Sequence, residues 1–192
     1  RFTLWQLPSQ GHPQMMSYVI KSAGGKVIVV DGGNTADAPY LKEFLEGRGN
    51  HVDSWFITHP HADHVDALTS ILGNPGDLVI DEIYASFPPE DWMVAHYDPN
   101  AMGSYPAFTN AMAAAGRSHV DLGVGDIMDI DEIQIEVLFI GDTNITHNAA
   151  NNYSLVMRFS DPTKTLLFTS DLGPQGGDAV LAAVDHAKLK AD

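Results

Sequence analysis

Apolar positions along this chain switch repeatedly between a two-residue and a roughly 3.6-residue period, and the switches mark out its elements. Phe2 to Leu7 reads as an edge strand. Ser17 to Lys21 and Lys26 to Val30 read as a hairpin around Gly24-Gly25, a strong turn signal. The run Val27-Ile28-Val29-Val30 has no polar alternation, as expected of a strand covered on both faces, and it ends in Asp31-Gly32-Gly33. Tyr40, Leu41, Phe44 and Leu45 recur at helical spacing until Gly47 stops them. Val52, Trp55, Phe56 and Ile57 form a second apolar run ending at Thr58. A helix over Asp63 to Leu72 turns Val65, Leu68, Ile71 and Leu72 inward, and Leu78 to Ala85 is a further strand. Strand, helix, strand, helix implies a layered α/β domain.

The second half is patterned differently. Phe87 to Pro106 concentrates proline, aromatics and methionine without a clear period, and reads as a long loop or lid in which Trp92, His96, Tyr97 and Tyr105 either flank a substrate or staple a surface insertion. A helix follows over Ala107 to Ala115. From Val120 the chain is β-rich: a turn at Gly123 to Asp126, strands at Ile127 to Ile130 and Ile133 to Ile140, and a hairpin of Tyr153 to Phe159 with Thr165 to Thr169 across Asp161-Pro162. The polar stretch Gly141 to Ala150 precedes that hairpin, and a last helix is expected over Gly177 to Lys190.

The chemistry concentrates where the second apolar run ends. Within six residues the chain presents His59, His61, Asp63 and His64. Imidazole and carboxylate are the ligand types of zinc and neighbouring first-row metals. In an extended loop, residues two apart project to the same side, so His59 and His61 can converge on one ion. Asp63 and His64, at the turn into a helix, face a second position a few ångströms on. Two strand-terminal aspartates join the candidates. Asp31 either caps the helix beginning near Ala36 or supports the histidine loop by hydrogen bonding; Asp171, after Leu166-Leu167-Phe168-Thr169-Ser170, either caps a helix or bridges two ions.

Composition narrows the chemistry. With 192 residues and 44% hydrophobic content the chain suits one domain with a sizeable core. Zero cysteines removes disulfides and thiolate ligands, leaving His, Asp and Glu as the strong ones. Twenty-five acidic against ten basic residues, a net charge of −15, disfavours duplex DNA, although bound cations reverse the local sign in a cleft. No stretch of about 18 apolar residues is present to span a membrane. The chain begins at Arg1 with no leader pattern, which is compatible with an extracytoplasmic protein whose leader or anchor has been removed.

His-x-His-x-Asp-His after a buried strand resembles the signature of the metallo-β-lactamase superfamily. Within it the chain is most similar to the hydrolase domain of ComEC-type competence proteins, through Gln10-Gly11, Val29-Val30-Asp31-Gly32-Gly33, Thr58 to His64, and Asn151 to Phe159 followed by Leu166 to Asp171. The resemblance implies a four-layer αββα sandwich, two mixed sheets flanked by helices. It implies one or two divalent ions, zinc with manganese or iron as alternatives, held by His59, His61, Asp63, His64 and the bridging Asp171. Asp31 then lies behind the ligands. Asn151 occupies the place of the superfamily's usual third histidine, and His147 is either a substitute for it or a solvated loop histidine. His12 stands where relatives carry an acid. The chain also stops at Leu189-Lys190-Ala191-Asp192, just short of the family's final ligating histidine. A single domain over 1–192, truncated at that end and holding metal weakly with slow hydrolysis, is the expectation. The function implied is metal-dependent hydrolysis of a phosphodiester in a small or nucleotide-like substrate, with Asp63 as ligand and proton acceptor. Hydrolysis of a lactam or other acyl bond, or a metal-poor binding domain, are the alternatives.

Overall fold

The structure is a computed structural model that describes residues 1–11 and 14–192. In chain order the elements are β1 (Thr3–Gln6), β2 (Ser17–Lys21), β3 (Val27–Asp31), α1 (Ala38–Glu46), β4 (His51–Ile57), α2 (Ala62–Gly73), β5 (Val79–Ala85), α3 (Glu90–His96), α4 (Pro99–Ala114), β6 (Val120–Asp121), β7 (Ile127–Ile130), β8 (Ile133–Phe139), α5 (Ala149–Asn152), β9 (Val156–Ser160), β10 (Thr165–Phe168) and α6 (Pro174–Ala183). One sheet has the order β1-β2-β3-β4-β5-β6, the other β10-β9-β8-β7. The first is mixed, antiparallel from β1 to β3 and parallel from β3 to β6. The second is antiparallel throughout.

Strand alternation assigns the layers. On β3, Val27 and Val29 face the helices while Ile28 and Val30 face the second sheet; on β4, Trp55 and Ile57 face the helices and Phe56 the sheet. Leu41 and Leu45 of α1, Val65, Leu68 and Ile71 of α2, and Phe108 and Met112 of α4 complete the helical layer. Ile133, Ile135, Val137, Met157 and Phe159 close the inter-sheet core. There Phe56 stacks on Tyr84 at 4.9 Å and meets Phe159 edge-on at 5.9 Å, pairs worth about 0.5–1.5 kcal/mol each beyond their burial. A register shift between Val137 and Phe139 turns Leu138 and Phe139 together to the outer face, where α6 covers them through Val180. The result is the expected αββα order.

Two expected elements are corrected. The segment Phe87 to Pro106 is not a loop: it carries α3 and the first half of α4, so the helix expected from Ala107 begins at Pro99. Asp98 caps α4 and Pro99 stands in its first turn, where a missing N–H costs nothing. The buried residues Ala101, Ser104, Phe108 and Met112 do follow helical spacing. Two of the four are small and Pro106 interrupts the run, which hides the period. The last helix ends at Ala183 rather than Lys190, because Val184 is extended and Asp185 receives Ala187 N–H in a separate turn.

The parallel strands β3 and β4 end side by side, and the chain leaving β10 ends opposite them. Asp31, Thr58 and Ser170 therefore meet where the two sheets open. Gly33 is needed there: its φ is +95°, and a Cβ would come within 2.8 Å of Asp37 and Met15. Its carbonyl accepts from Ala67 N–H, and the Asp63 carbonyl accepts from Met16 N–H, which stitches the start of α2 to the loops after β1 and β3.

Candidate metal centre

Local sequence shapes the histidine loop. Pro60 keeps His59 extended, since the residue before a proline is pushed from the helical region. His61 is the residue before α2, with φ −72° and ψ 152°, and its carbonyl receives the N–H groups of His64 and Val65. The loop thus carries His59 and His61 in extended backbone, then turns Asp63 and His64 into the first turn of α2. His59, His61 and His64 are all buried.

The expected ligands converge. Nε2 of His59 lies 2.9 Å from Nδ1 of His61, and the His59 and His64 rings are 4.0 Å apart. From the other end of the chain Asp171 arrives with Oδ2 3.6 Å from His64 Nε2, and Asp63 Oδ2 stands 3.8 Å from the same atom. His59, His64 and Asp171 offer one ligand atom each, all within 4.8 Å of one another. His64 Nε2 is buried and makes no hydrogen bond. An unpartnered buried ring nitrogen facing two carboxylates fits a cation, so this donor set is suited to one.

Asp31 holds the arrangement from behind. Its Oδ1 accepts from Thr58 N–H at 2.9 Å and its Oδ2 from His64 Nδ1–H at 2.8 Å, while the Thr58 hydroxyl donates to the same carboxylate. It does not cap the following helix: a short 3-10 turn, Thr35–Asp37, intervenes, and there the Asp37 side chain accepts from Asn34 N–H. Asp31 has a φ of +59° and Ser170 a φ of +49°. Asp tolerates the left-handed region, but for Ser it is strained, and strain of this kind collects at functional sites. Ser170 Oγ is 2.7 Å from Thr58 Oγ1 and 3.3 Å from His59 Nδ1. Ser154 Oγ stands 3.4 Å from the same nitrogen.

These contacts set the charges. Burial, then the neighbouring His64 and His61, hold His59 well below the usual imidazole range, so it is neutral and able to ligate. Burial alone would lower His64 too, but Asp31, Asp171 and Asp63 around it push it up to about 10. Asp171 is lowered chiefly by His64.

The secondary candidates divide. Asn151 lies close enough to His59 to favour its charged form, yet its buried Oδ1 makes no hydrogen bond, and it borders the centre. His147 does not join the group: its side chain is exposed, and only its carbonyl is engaged, by Asn152 Nδ2. His96 is exposed and packs on Trp92, and His12 lies outside the described residues. The sequence reading missed Thr58, Ser154, Ser170 and Asp98. Asp98 Oδ2 is 2.8 Å from His61 Nε2, and its Oδ1 accepts from the N–H groups of Asn100 and Ala101. Asp98-Pro99 is a helix-start signature, and treating the segment as loop concealed it.

Fold and centre together define a class, the αββα sandwich with a His/Asp group suited to a metal where its two sheets open. The chain belongs to the metallo-beta-lactamase superfamily, whose profile matches residues 13–191. That superfamily consists generally of metal-dependent hydrolases. Among solved structures the chain is similar to the metallo-beta-lactamase fold protein YhfI from Bacillus subtilis, at 14% identity and a TM-score of 0.52 over 88% of this chain and 62% of that one. A Cronobacter sakazakii metallo-beta-lactamase with a HARLDQ motif, mutant S60, aligns at 13% identity and a TM-score of 0.59, covering 95% and 70%. A metallo-beta-lactamase from Staphylococcus aureus subsp. aureus COL aligns at 17% and 0.54, covering 88% and 41%. The chain therefore spans less than two thirds of the Bacillus and Staphylococcus proteins, and these likenesses concern the fold. Among curated protein sequences none matches the chain.

Proposed function

We propose that the chain is a metal-dependent hydrolase acting on phosphodiester bonds of a small or nucleotide-like substrate. The observation that carries this reading is the convergence of His59, His64 and Asp171, with Asp63 beside His64 Nε2, which makes no hydrogen bond, and His61 against His59. His59 Nε2 and His61 Nδ1, with Asp171 shared, would hold one ion, and Asp63, His64 Nε2 and Asp171 a second; zinc suits the donor set, with manganese or iron as alternatives. When bound, such ions supply a water acidified to near neutrality and polarise the scissile bond, a pair suiting in-line displacement at phosphorus.

The chain's own residues do the rest. Asp31 fixes the His64 ring through Nδ1, so that Nε2 faces the cleft. Ser170, Ser154 and Thr58 surround the far nitrogen of His59 and keep Nε2 turned toward His61. Asp63, at the first turn of α2 and partly open to solvent, takes the proton released by the attacking water. The resemblance to ComEC-type domains in the motifs around Asp31, His59 and Asp171 supports the choice of phosphodiesters.

One observation favours hydrolysis of a lactam or other acyl bond as a second reading. Apart from His64, the described charged groups of the cleft are acidic, whereas several cations make their contacts elsewhere: Lys26 with Asp53, Arg48 on Trp5 and Phe44, Arg117 on the carbonyls of Ile80 and Asp81, and Lys188 with Glu136. An anionic substrate would be met by the metals alone. Turnover of bis(p-nitrophenyl) phosphate and of a chromogenic cephalosporin, each with added Zn²⁺ or Mn²⁺, separates the two. Metal-dependent cleavage of the diester alone is expected. Cleavage of the lactam alone would transfer the assignment to acyl chemistry, and inertness toward both would favour a binding domain.

A further inference from the structure

We infer that Asp98, on the helical segment between β5 and β6, is a positioning residue that sets the tautomer of His61 and thereby decides whether its Nδ1 is available to a metal. The inference rests on the metal-binding reading of the cluster. A carboxylate only accepts hydrogen bonds, so at 2.8 Å from Asp98 Oδ2 it is His61 Nε2 that carries a proton. In a neutral ring the lone pair is then on Nδ1, the atom that stands 2.9 Å from His59 Nε2 inside the cluster. The other oxygen of Asp98 is already committed: Oδ1 receives the N–H groups of Asn100 at 2.9 Å and Ala101 at 3.1 Å, capping α4. One carboxylate thus ties the start of a helix built outside the histidine motif to the orientation of a ring within it. Its second oxygen, Oδ2, is left to meet His61.

This double use makes asparagine the informative replacement. Asparagine is as good a helix cap as aspartate, but it has one acceptor oxygen. If that oxygen keeps the Asn100 and Ala101 contacts, its NH₂ group faces His61 Nε2, which must then become an acceptor. The ring proton moves to Nδ1, into the cluster, where it blocks ligation. The expected result for D98N is therefore a changed tautomer in a folded protein with an intact α4, whereas D98A loses the cap as well.

The test uses the full chain. Long-range ¹H–¹⁵N spectra of the histidine rings in metal-free protein read the His61 tautomer, circular dichroism follows folding, and Zn²⁺ titration reads affinity. The parent should show the Nε2–H form, and D98N the Nδ1–H form with Zn²⁺ affinity reduced about 10–100-fold, the usual loss when a ligand's outer partner is removed. A parent in the Nδ1–H form, or a D98N protein that retains the Nε2–H form or the parent's affinity, overturns the inference. If the parent binds no Zn²⁺ at all, the proposed function fails by itself, and the ring spectra still decide the role of Asp98.

Discussion

The two ends of β4 gather the same chemistry with opposite consequences. Past its carboxyl end, His59, His64 and Asp171 place ligand atoms within 4.8 Å of one another; at its amino end, His51, Asp53 and Asp81 do the same. At the amino end every group has a partner. His51 Nε2 pairs with Asp81 at 2.9 Å, and Asp53 binds Lys26 Nζ at 2.6 Å and Val27 N–H at 2.7 Å. His51 and Asp81 are nearly half exposed. At the carboxyl end the histidines are buried, a carboxylate behind each of two rings fixes its orientation, and one ring nitrogen, 3.6 and 3.8 Å from two further carboxylates, makes no hydrogen bond. Ligand types in proximity do not make a site. Burial, orientation from behind and an unmet bonding capacity do, and only one end has them.

The largest expected effect is at the carboxyl end. Asp31→Ala leaves His64 Nδ1, the Thr58 N–H and the Thr58 hydroxyl without their shared acceptor in the core. Breaking a buried charged pair from one side costs about 3–5 kcal/mol, read from the midpoint of urea unfolding, and metal affinity should fall about 10–100-fold. A variant as stable as the parent would erase the contrast between the two ends.

Next in size is the coupling of metal to protons. His64 is raised to about 10 by the aspartates around it, so the metal-free protein holds its proton at neutral pH. Since the folded value lies above the ordinary 6.5, protonated His64 stabilises the metal-free fold; that contribution is complete below pH 6.5 and disappears as pH rises toward 10. A cation taken up at His64 Nε2 must displace the proton. Calorimetry at pH 7 in buffers of different ionisation enthalpy should show about one proton released from this ring per ion, and affinity that rises with pH. Proton-neutral binding would mean that His64 is not a ligand.

The smallest effect belongs to the amino end. Asp81→Asn alters an exposed contact with His51, and even fully charged exposed pairs contribute about 0–1 kcal/mol. Thermal unfolding of this variant should nearly superimpose on the parent's; a large loss of stability would show that exposure understates what this cluster does.

Much of this was legible in the sequence, for identifiable reasons. The strands β3 and β4 are continuous apolar runs, and the ligand-bearing residues sit in the turns that end them, so Asp31 and His59 to His64 could be placed before any coordinates. Asp171 was found because its strand repeats that plan. What escaped was of two kinds. Thr58, Ser154 and Ser170 are common hydroxyl residues whose role exists only through distance to a ring nitrogen. The helices α3 and α4 escaped because Ala101 and Ser104 bury faces too small to register as apolar and Pro106 sits inside the helix, and Asp98 was lost with them. His147, near Asn151 in sequence, was open to either reading, ligand or solvated loop histidine; the turn before α5 leaves it exposed.

The central claim is that the carboxyl end of β4, and not the amino end, holds metal through a residue more than a hundred positions away in the chain. Zn²⁺ titration of the parent, Asp171→Asn and Asp81→Asn under one set of conditions tests it most directly. The account predicts saturable binding by the parent, unchanged in Asp81→Asn and weakened at least tenfold in Asp171→Asn, taking the loss of an outer partner, about 10–100-fold, as the lower reference for losing a ligand. Equal affinity in the parent and Asp171→Asn, or a loss that follows Asp81 instead, would contradict it.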